Sequence, residues 1–222
     1  MEAFLVFFFG AAMGSFLALV IERLPIGESI VVGRSHCTGC GKLLRCWEMV
    51  PILSQIALGS KCKRCGVQIP IWYAFFEAAI GVCALWTLSN LTEGILLAMS
   101  LTLSIFDQRE HAFPFSVWAI FTLILFCIVP FSLSDLTILA FALLASLKNL
   151  RIGAGDILWL YSASLVVTQL EIVLILQFAA IGGIIHYLLQ KEKGEIAFIP
   201  HLTGALGLLL LTRPVWAQIL TP

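Results

Sequence analysis

Five apolar runs in this chain approach the roughly 20 residues that a helix needs to cross a bilayer: Ala3 to Ile21, Ile69 to Leu91, Ala112 to Leu133, Ile172 to Gln190 and Ile196 to Leu211. Three shorter ones lie between them, Gly94 to Phe106, Leu136 to Leu147 and Ile157 to Leu170. A chain that is 60% hydrophobic and only 12% charged, with a mean hydropathy of +1.03, lies outside the range of water-soluble domains. The expected fold class is therefore all-α, a polytopic membrane protein of about eight transmembrane helices. Its formal net charge of zero gives no reason to expect a nucleic-acid partner.

Charge placement tests that helix count. If the polar segment from Arg23 to Gln68 is cytoplasmic, alternation puts Asp107 to His111, Lys148 to Asp156 and Lys191 to Glu195 on the same side. Twelve of the thirteen Lys and Arg residues then face the cytoplasm, leaving Arg213 outside, as the positive-inside rule requires. The segments assigned outside, near Glu2, Glu93, Asp135 and Glu171, hold acids. The first run lacks a basic n-region and reads as an uncleaved helix. The expected division is a first helix at 1–22, a cytoplasmic loop at 23–70 and a helical bundle at 71–222. No internal sequence repeat stands out.

The loop carries Cys37-Thr38-Gly39-Cys40 and Cys62-Lys63-Arg64-Cys65, each followed by glycine (Gly41, Gly66) and separated by 21 residues. Twin C-x-x-C pairs with turn glycines have the spacing of a tetrahedral thiolate site, here structural Zn2+ because four thiolates leave no open position. Disulfides are disfavoured in a reducing compartment, and a redox pair lacks its usual fold context. Cys46, Cys83 and Cys127 read as filler.

Asp107 and Asp156 stand at the edges of apolar runs expected to end on one side, and an ionisable group at that depth is a functional candidate. Two carboxylates sharing a proton can activate water and donate to a carbonyl. Gly153 and Gly155, preceding Asp156, would let a substrate backbone approach and offer φ > 0 where the helix begins. Taken singly, each aspartate could instead cap a helix or pair with Arg109 or Lys148. Glu77, inside the second run, could meet a polar cofactor group or an interior donor, the second reading being favoured. His186 and His201 read as satisfied interface histidines, and His36 beside Cys37 as a non-ligand.

Gly14-Ser15-Phe16-Leu17, Arg23-Leu24-Pro25, the two C-x-x-C pairs, Glu77, Asp107 with Pro114, and Gly153-Ala154-Gly155-Asp156 together resemble the bacterial type IV prepilin leader peptidases/N-methyltransferases, which are G-x-G-D intramembrane aspartic proteases. The resemblance implies a bacterial inner-membrane enzyme with Asp107 and Asp156 catalytic. It would remove the basic leader of prepilins or pseudopilins after Gly at the cytoplasmic surface, then N-methylate the new N-terminus with S-adenosylmethionine, for which Glu77 is the candidate contact. The alternative within the same class is a peptidase alone, with the zinc loop as a substrate-docking or stabilising module. A non-enzymatic transporter or scaffold with a zinc loop is the reading from another class, but the matching broken half-helices of transporters are not evident. Membrane lipid is an expected partner, and the oligomeric state is open.

Overall fold

The computed structural model describes residues 1–130, 137, 139–140, 144, 153–190 and 196–220, with side chains to Arg213. The apolar run from Leu136 to Leu147 falls largely outside these residues, as do Asp135, Lys148 and the segment from Lys191 to Glu195. The helices are α1 (Glu2–Arg23), α2 (Leu53–Ala57), α3 (Trp72–Trp86), α4 (Leu91–Glu110), α5 (Phe115–Ile128), α6 (Ala154–Ser164), α7 (Gln169–Leu189) and α8 (Ile199–Leu220). Among the described residues no strand forms, only two isolated bridges, so the chain is all-helical.

Among the described residues, α1 and α7 are both long and apolar enough to cross a membrane by length and composition, with α3 and α5 as shorter apolar helices. Two of the short sequence runs change shape. The run from Gly94 to Phe106 grows into the 20-residue α4, because the polar residues after it continue the helix to Glu110. The run from Ile157 to Leu170 is cut in two, because Thr168 caps the next helix: its backbone N–H donates to Glu171 Oε2 at 2.8 Å, and its hydroxyl accepts from the Glu171 N–H, a capping box. The resulting 11-residue α6 rises only about 16 Å, about half a hydrocarbon core.

The chain divides into two compact units, Met1–Gly94 and Ile95–Pro222. In the first, α1 and α3 lie in close contact through small residues. A Cβ added at Gly10 would collide with the Ala84 side chain and come within 3.0 Å of the Gly81 backbone. One at Gly81 would come within 2.7 Å of the Phe7 ring. Close approach of this kind lets dispersion contacts hold helices together where lipid removes the hydrophobic advantage.

Hydroxyls and indoles join the helices of the second unit. Trp159 of α6 donates to Ser100 Oγ of α4 at 2.9 Å. Trp118 of α5 donates to Leu158 O and Ser162 Oγ of α6, and Thr122 meets Ser162 at 2.8 Å. Ser104 of α4 and Thr203 of α8 share a 2.6 Å bond. These groups are buried, where an unmade hydrogen bond costs about 1–3 kcal/mol, so the net specifies which helix faces touch. Toward the other end of α7 and α8, Arg213 Nε donates to Glu171 Oε1 at 2.8 Å.

Gly10→Leu should force α1 and α3 apart and destabilise the first unit by about 1–3 kcal/mol, the cost of overpacking. A thermal midpoint in detergent unchanged from the wild type would contradict this packing.

Candidate active site and thiol cluster

The two cysteine pairs fold as twin knuckles. In the first, Cys37 N–H donates to Lys42 O, Gly41 N–H to Cys37 O and Leu44 N–H to Ser35 O. In the second, Cys62 N–H donates to Val67 O, Gly66 N–H to Cys62 O and Ile69 N–H to Ser60 O. The isolated bridges His36–Leu43 and Lys61–Gln68 complete the correspondence. Gly41 and Gly66 take φ of 65° and 73°, a region glycine enters without a Cβ penalty. A ten-residue repeat therefore exists where the sequence reading found none; beyond the cysteines, the turn glycine and the leading Ser35 and Ser60 its residues differ, so the backbone bonds carry most of it.

These knuckles bring the sulfurs of Cys37, Cys40, Cys62 and Cys65 within 4.8 Å of one another. The Cys37 and Cys65 sulfurs are 3.7 Å apart. Tetrahedral zinc at about 2.3 Å from each thiolate requires sulfur separations of about 3.8 Å, so the donor set fits such an ion. All four thiols are free. Cys46, in the turn Cys46–Met49, lies outside the cluster, and so does His36.

Glu77 of α3 is buried, 8% exposed. Its Oε2 accepts from the Ile52 N–H at 2.7 Å, and Ser15 of α1 supplies a side-chain hydrogen bond, so the interior-donor reading is the one seen. Ile52 stands at φ 62° and ψ −54°, with Leu53 N–H returning to Pro51 O. That is a γ-turn on a β-branched residue, a conformation costing about 1–3 kcal/mol and held only by its surroundings. Glu77 thus anchors the strained loop to the helix pair.

In the second unit, Asp107 occupies the last turn of α4 and Asp156 the first turn of α6. Ser100 and Ser104 precede Asp107 by seven and three residues, on one helix face; Trp159 follows Asp156 by three. The Trp159–Ser100 bond therefore turns toward each other the faces that carry both carboxylates. Asp107 Oδ2 accepts from the Ile199 N–H at 3.0 Å, with a further backbone bond from Phe198. Both donors open α8, where Pro200 has no N–H to offer, so Asp107 caps a helix from outside. Asp156 is not a cap: Gly153 holds that position.

The glycines act differently from expectation. Gly153 has φ −56°, and Gly155 is helical, so neither uses positive φ. Their role is space. A Cβ on Gly155 would run into the Phe113 ring, and one on Gly153 would sit 2.6 Å from Asp156 Oδ2. Gly155 is buried beneath Phe113 rather than open to a substrate backbone, whereas Gly153 is exposed.

Both carboxyls lie just past their apolar runs, and both are pushed above the ordinary range. Burial raises Asp107, opposed by the Ile199 and Phe198 amides and by His111 and His201. Burial, then the Asp107 charge, lifts Asp156 to about 6. Donors that favour the anion surround Asp107 alone. Of the two, Asp156 is therefore the carboxyl that holds its proton to higher pH.

Sequence reading missed Phe113, the α8 amides and the Ser100–Trp159 bond. The spacing of Ser100, Ser104 and Asp107 on α4 was the available signal. The fold and site thus define an all-helical chain combining a four-thiol cluster with an interhelical carboxylate pair.

Residues 8–91 match the family model of the bacterial peptidase A24 N-terminal domain. The chain is 34% identical over 122 residues to a prepilin leader peptidase/N-methyltransferase of Myxococcus xanthus, covering 52% of this chain and 36% of that protein. It is 29% identical over 191 residues to one of Burkholderia pseudomallei, covering 68% and 59%, and 34% identical over 95 residues to one of Bacillus subtilis, covering 43% and 38%. Over these segments the chain is similar to prepilin leader peptidases/N-methyltransferases. It spans between about a third and three fifths of the length of these relatives. No solved structure matches.

Purified protein should carry one thiolate-bound divalent ion per chain, and Cys37→Ser should abolish it while opening residues 35–69 to limited proteolysis. Substoichiometric metal in the wild type, or a variant that keeps its ion, would contradict the cluster.

Proposed function

We propose that the chain is an intramembrane aspartic endopeptidase that removes the basic leader of type IV prepilins or pseudopilins after Gly, and that it N-methylates the new terminus. The observation that carries this reading is the pairing of an amide-held Asp107 with a buried Asp156 that feels its charge, on helices whose matched faces are joined by Trp159 and Ser100. The relatives named as prepilin leader peptidases/N-methyltransferases support it.

Asp107, ionised, takes a proton from water, while Asp156, neutral, donates to the scissile carbonyl. The oxygen that develops negative charge is then met by a proton already in place. Exposed Gly153 is the place where a substrate backbone can come close to Asp156.

The four cysteines hold structural Zn2+, with every position filled by thiolate. S-adenosylmethionine supplies the methyl group when bound. Glu77 serves that half of the activity by holding Ile52 and the surrounding loop, since its carboxylate already has donors from the chain. In this reading the chain is a multi-pass protein of the bacterial inner membrane with about eight segments. The cysteine loop (23–70) and the aspartates of the bundle (71–222) face the cytoplasm, and residues 1–22 form the first segment. The Glu171–Arg213 pair supports that sidedness, because the one basic residue assigned outside is neutralised by an acid assigned there. Prepilins, pseudopilins and lipid are the partners.

Asp107→Asn and Asp156→Asn should each abolish leader removal in vesicles containing a prepilin, with thermal midpoints near wild type. In the wild type, cleavage should fall as pH rises through the raised Asp156 value, about 6 or above once substrate excludes water, and fall again in acid as Asp107 is protonated. Retained cleavage in either variant would overturn the assignment. Mass spectrometry of the processed pilin should find one added methyl on its N-terminal residue; an unmodified terminus would leave a peptidase alone.

A further inference from the structure

A chain of side-chain bonds runs from the end of α7 to the turn that holds Asp107. Gln190 Nε2 lies 3.1 Å from His186 Nε2, His186 Nδ1 lies 3.2 Å from His201 Nε2, and His201 Nδ1 lies 3.0 Å from Ala197 O. A carbonyl oxygen only accepts, so His201 Nδ1 carries a proton. With His201 neutral, its Nε2 is then an acceptor, His186 donates to it through Nδ1, and the Gln190 amide donates to His186 Nε2. Every link is satisfied in one direction.

Ala197 is the first residue of the three-residue turn Ala197-Phe198-Ile199, and the other two donate their amides to Asp107. The Phe198 ring lies near-parallel to the His201 ring at 6.4 Å between centroids. His201 therefore grips the turn at both its carbonyl and its aromatic side chain. Asp107 is the residue whose carboxylate the turn supports.

We propose that His201, oriented by His186 and Gln190, is a positioning residue that fixes the Ala197–Ile199 turn and thereby keeps Asp107 in its amide-held form. This inference rests on Asp107 belonging to the proteolytic pair. Asp107 touches the reacting water in that reading, whereas His201 acts only through the turn. The described charged groups acting on Asp107 are Asp156, His111 and His201. Those around His201 are His186 and Asp107.

The test uses the full chain in lipid vesicles with His201→Phe, which keeps the ring and removes both nitrogens, and His201→Asn, whose amide can still donate to Ala197 O. For His201→Phe, kcat on a prepilin substrate should fall roughly tenfold with KM unchanged, the signature of a misplaced reacting group rather than lost binding. The acid limb of its pH profile should move to higher pH, because Asp107 loses amides that favour its anion. His201→Asn should recover most of kcat and return the limb. Hydrogen exchange at Phe198 and Ile199 should quicken in His201→Phe, a readout independent of turnover. Unchanged exchange with an unmoved acid limb would overturn the proposal, as would a loss confined to KM. Absence of any prepilin cleavage by the wild type would instead refute the protease reading, and exchange alone would then decide whether His201 holds the turn.

Discussion

A carboxylate lodged against the opening amides of a helix is the interaction on which the second unit depends. The first turn of α8 has few N–H groups to offer, because Pro200 supplies none and the His201 and Leu202 amides already return to Phe198 O. Asp107 takes those of Phe198 and Ile199. These two bonds tie the last turn of α4 to the start of α8 and hold the Asp107 carboxylate beside Asp156. The neighbouring hydroxyl bonds Ser104–Thr203 and Thr203 to Ser100 O run along the same two helices and keep that end in register. What makes Asp107 a good cap, fixed donors at short range, is also what makes it the better anion of the pair.

The first unit solves a different problem with similar means. Its loop leaves much of its apolar material exposed, Val31, Val32 and Ile56 among it, and it uses the thiol cluster, the twin knuckle bonds and the Glu77 anchor in place of a core. Small domains of this kind depend on metals or cross-links because burial alone leaves them near zero stability. Arg23 adds to this: buried at the end of α1, it donates to Ser29 O at 2.9 Å and approaches Glu28 at 3.7 Å, so the chain leaving the helix is tied down before the first knuckle begins.

Much of this was readable from residue order, and for identifiable reasons. Thiolate spacing and turn glycines depend on local geometry alone, so Cys37, Cys40, Cys62 and Cys65 could be grouped without knowing the fold. Asp107 and Asp156 stood out because carboxylates are rare at the ends of apolar runs. The positive φ expected at Gly153 and Gly155 is not used, Gly155 answers to Phe113, some forty residues away in sequence, and no local pattern reveals a ring that will fill the space. The break at Thr168 was also missed, because hydropathy continues smoothly across a capping box made by one hydroxyl and one acid. His186 and His201 were legible only as satisfied groups; the direction of their bonds needs the Ala197 carbonyl. The expected run from Leu136 to Leu147 lies largely outside the described residues.

The most direct test of the account is the proximity of the two acidic positions in the folded protein. A variant carrying Asp107→Cys and Asp156→Cys, with the native cysteines outside the thiol cluster replaced, should form an intramolecular cross-link within seconds of adding a short bifunctional methanethiosulfonate. A pairing of Asp107→Cys with a cysteine at Glu171 should not. Efficient cross-linking of the second pair, or failure of the first in protein that retains its metal and its thermal midpoint, would contradict a shared carboxylate site.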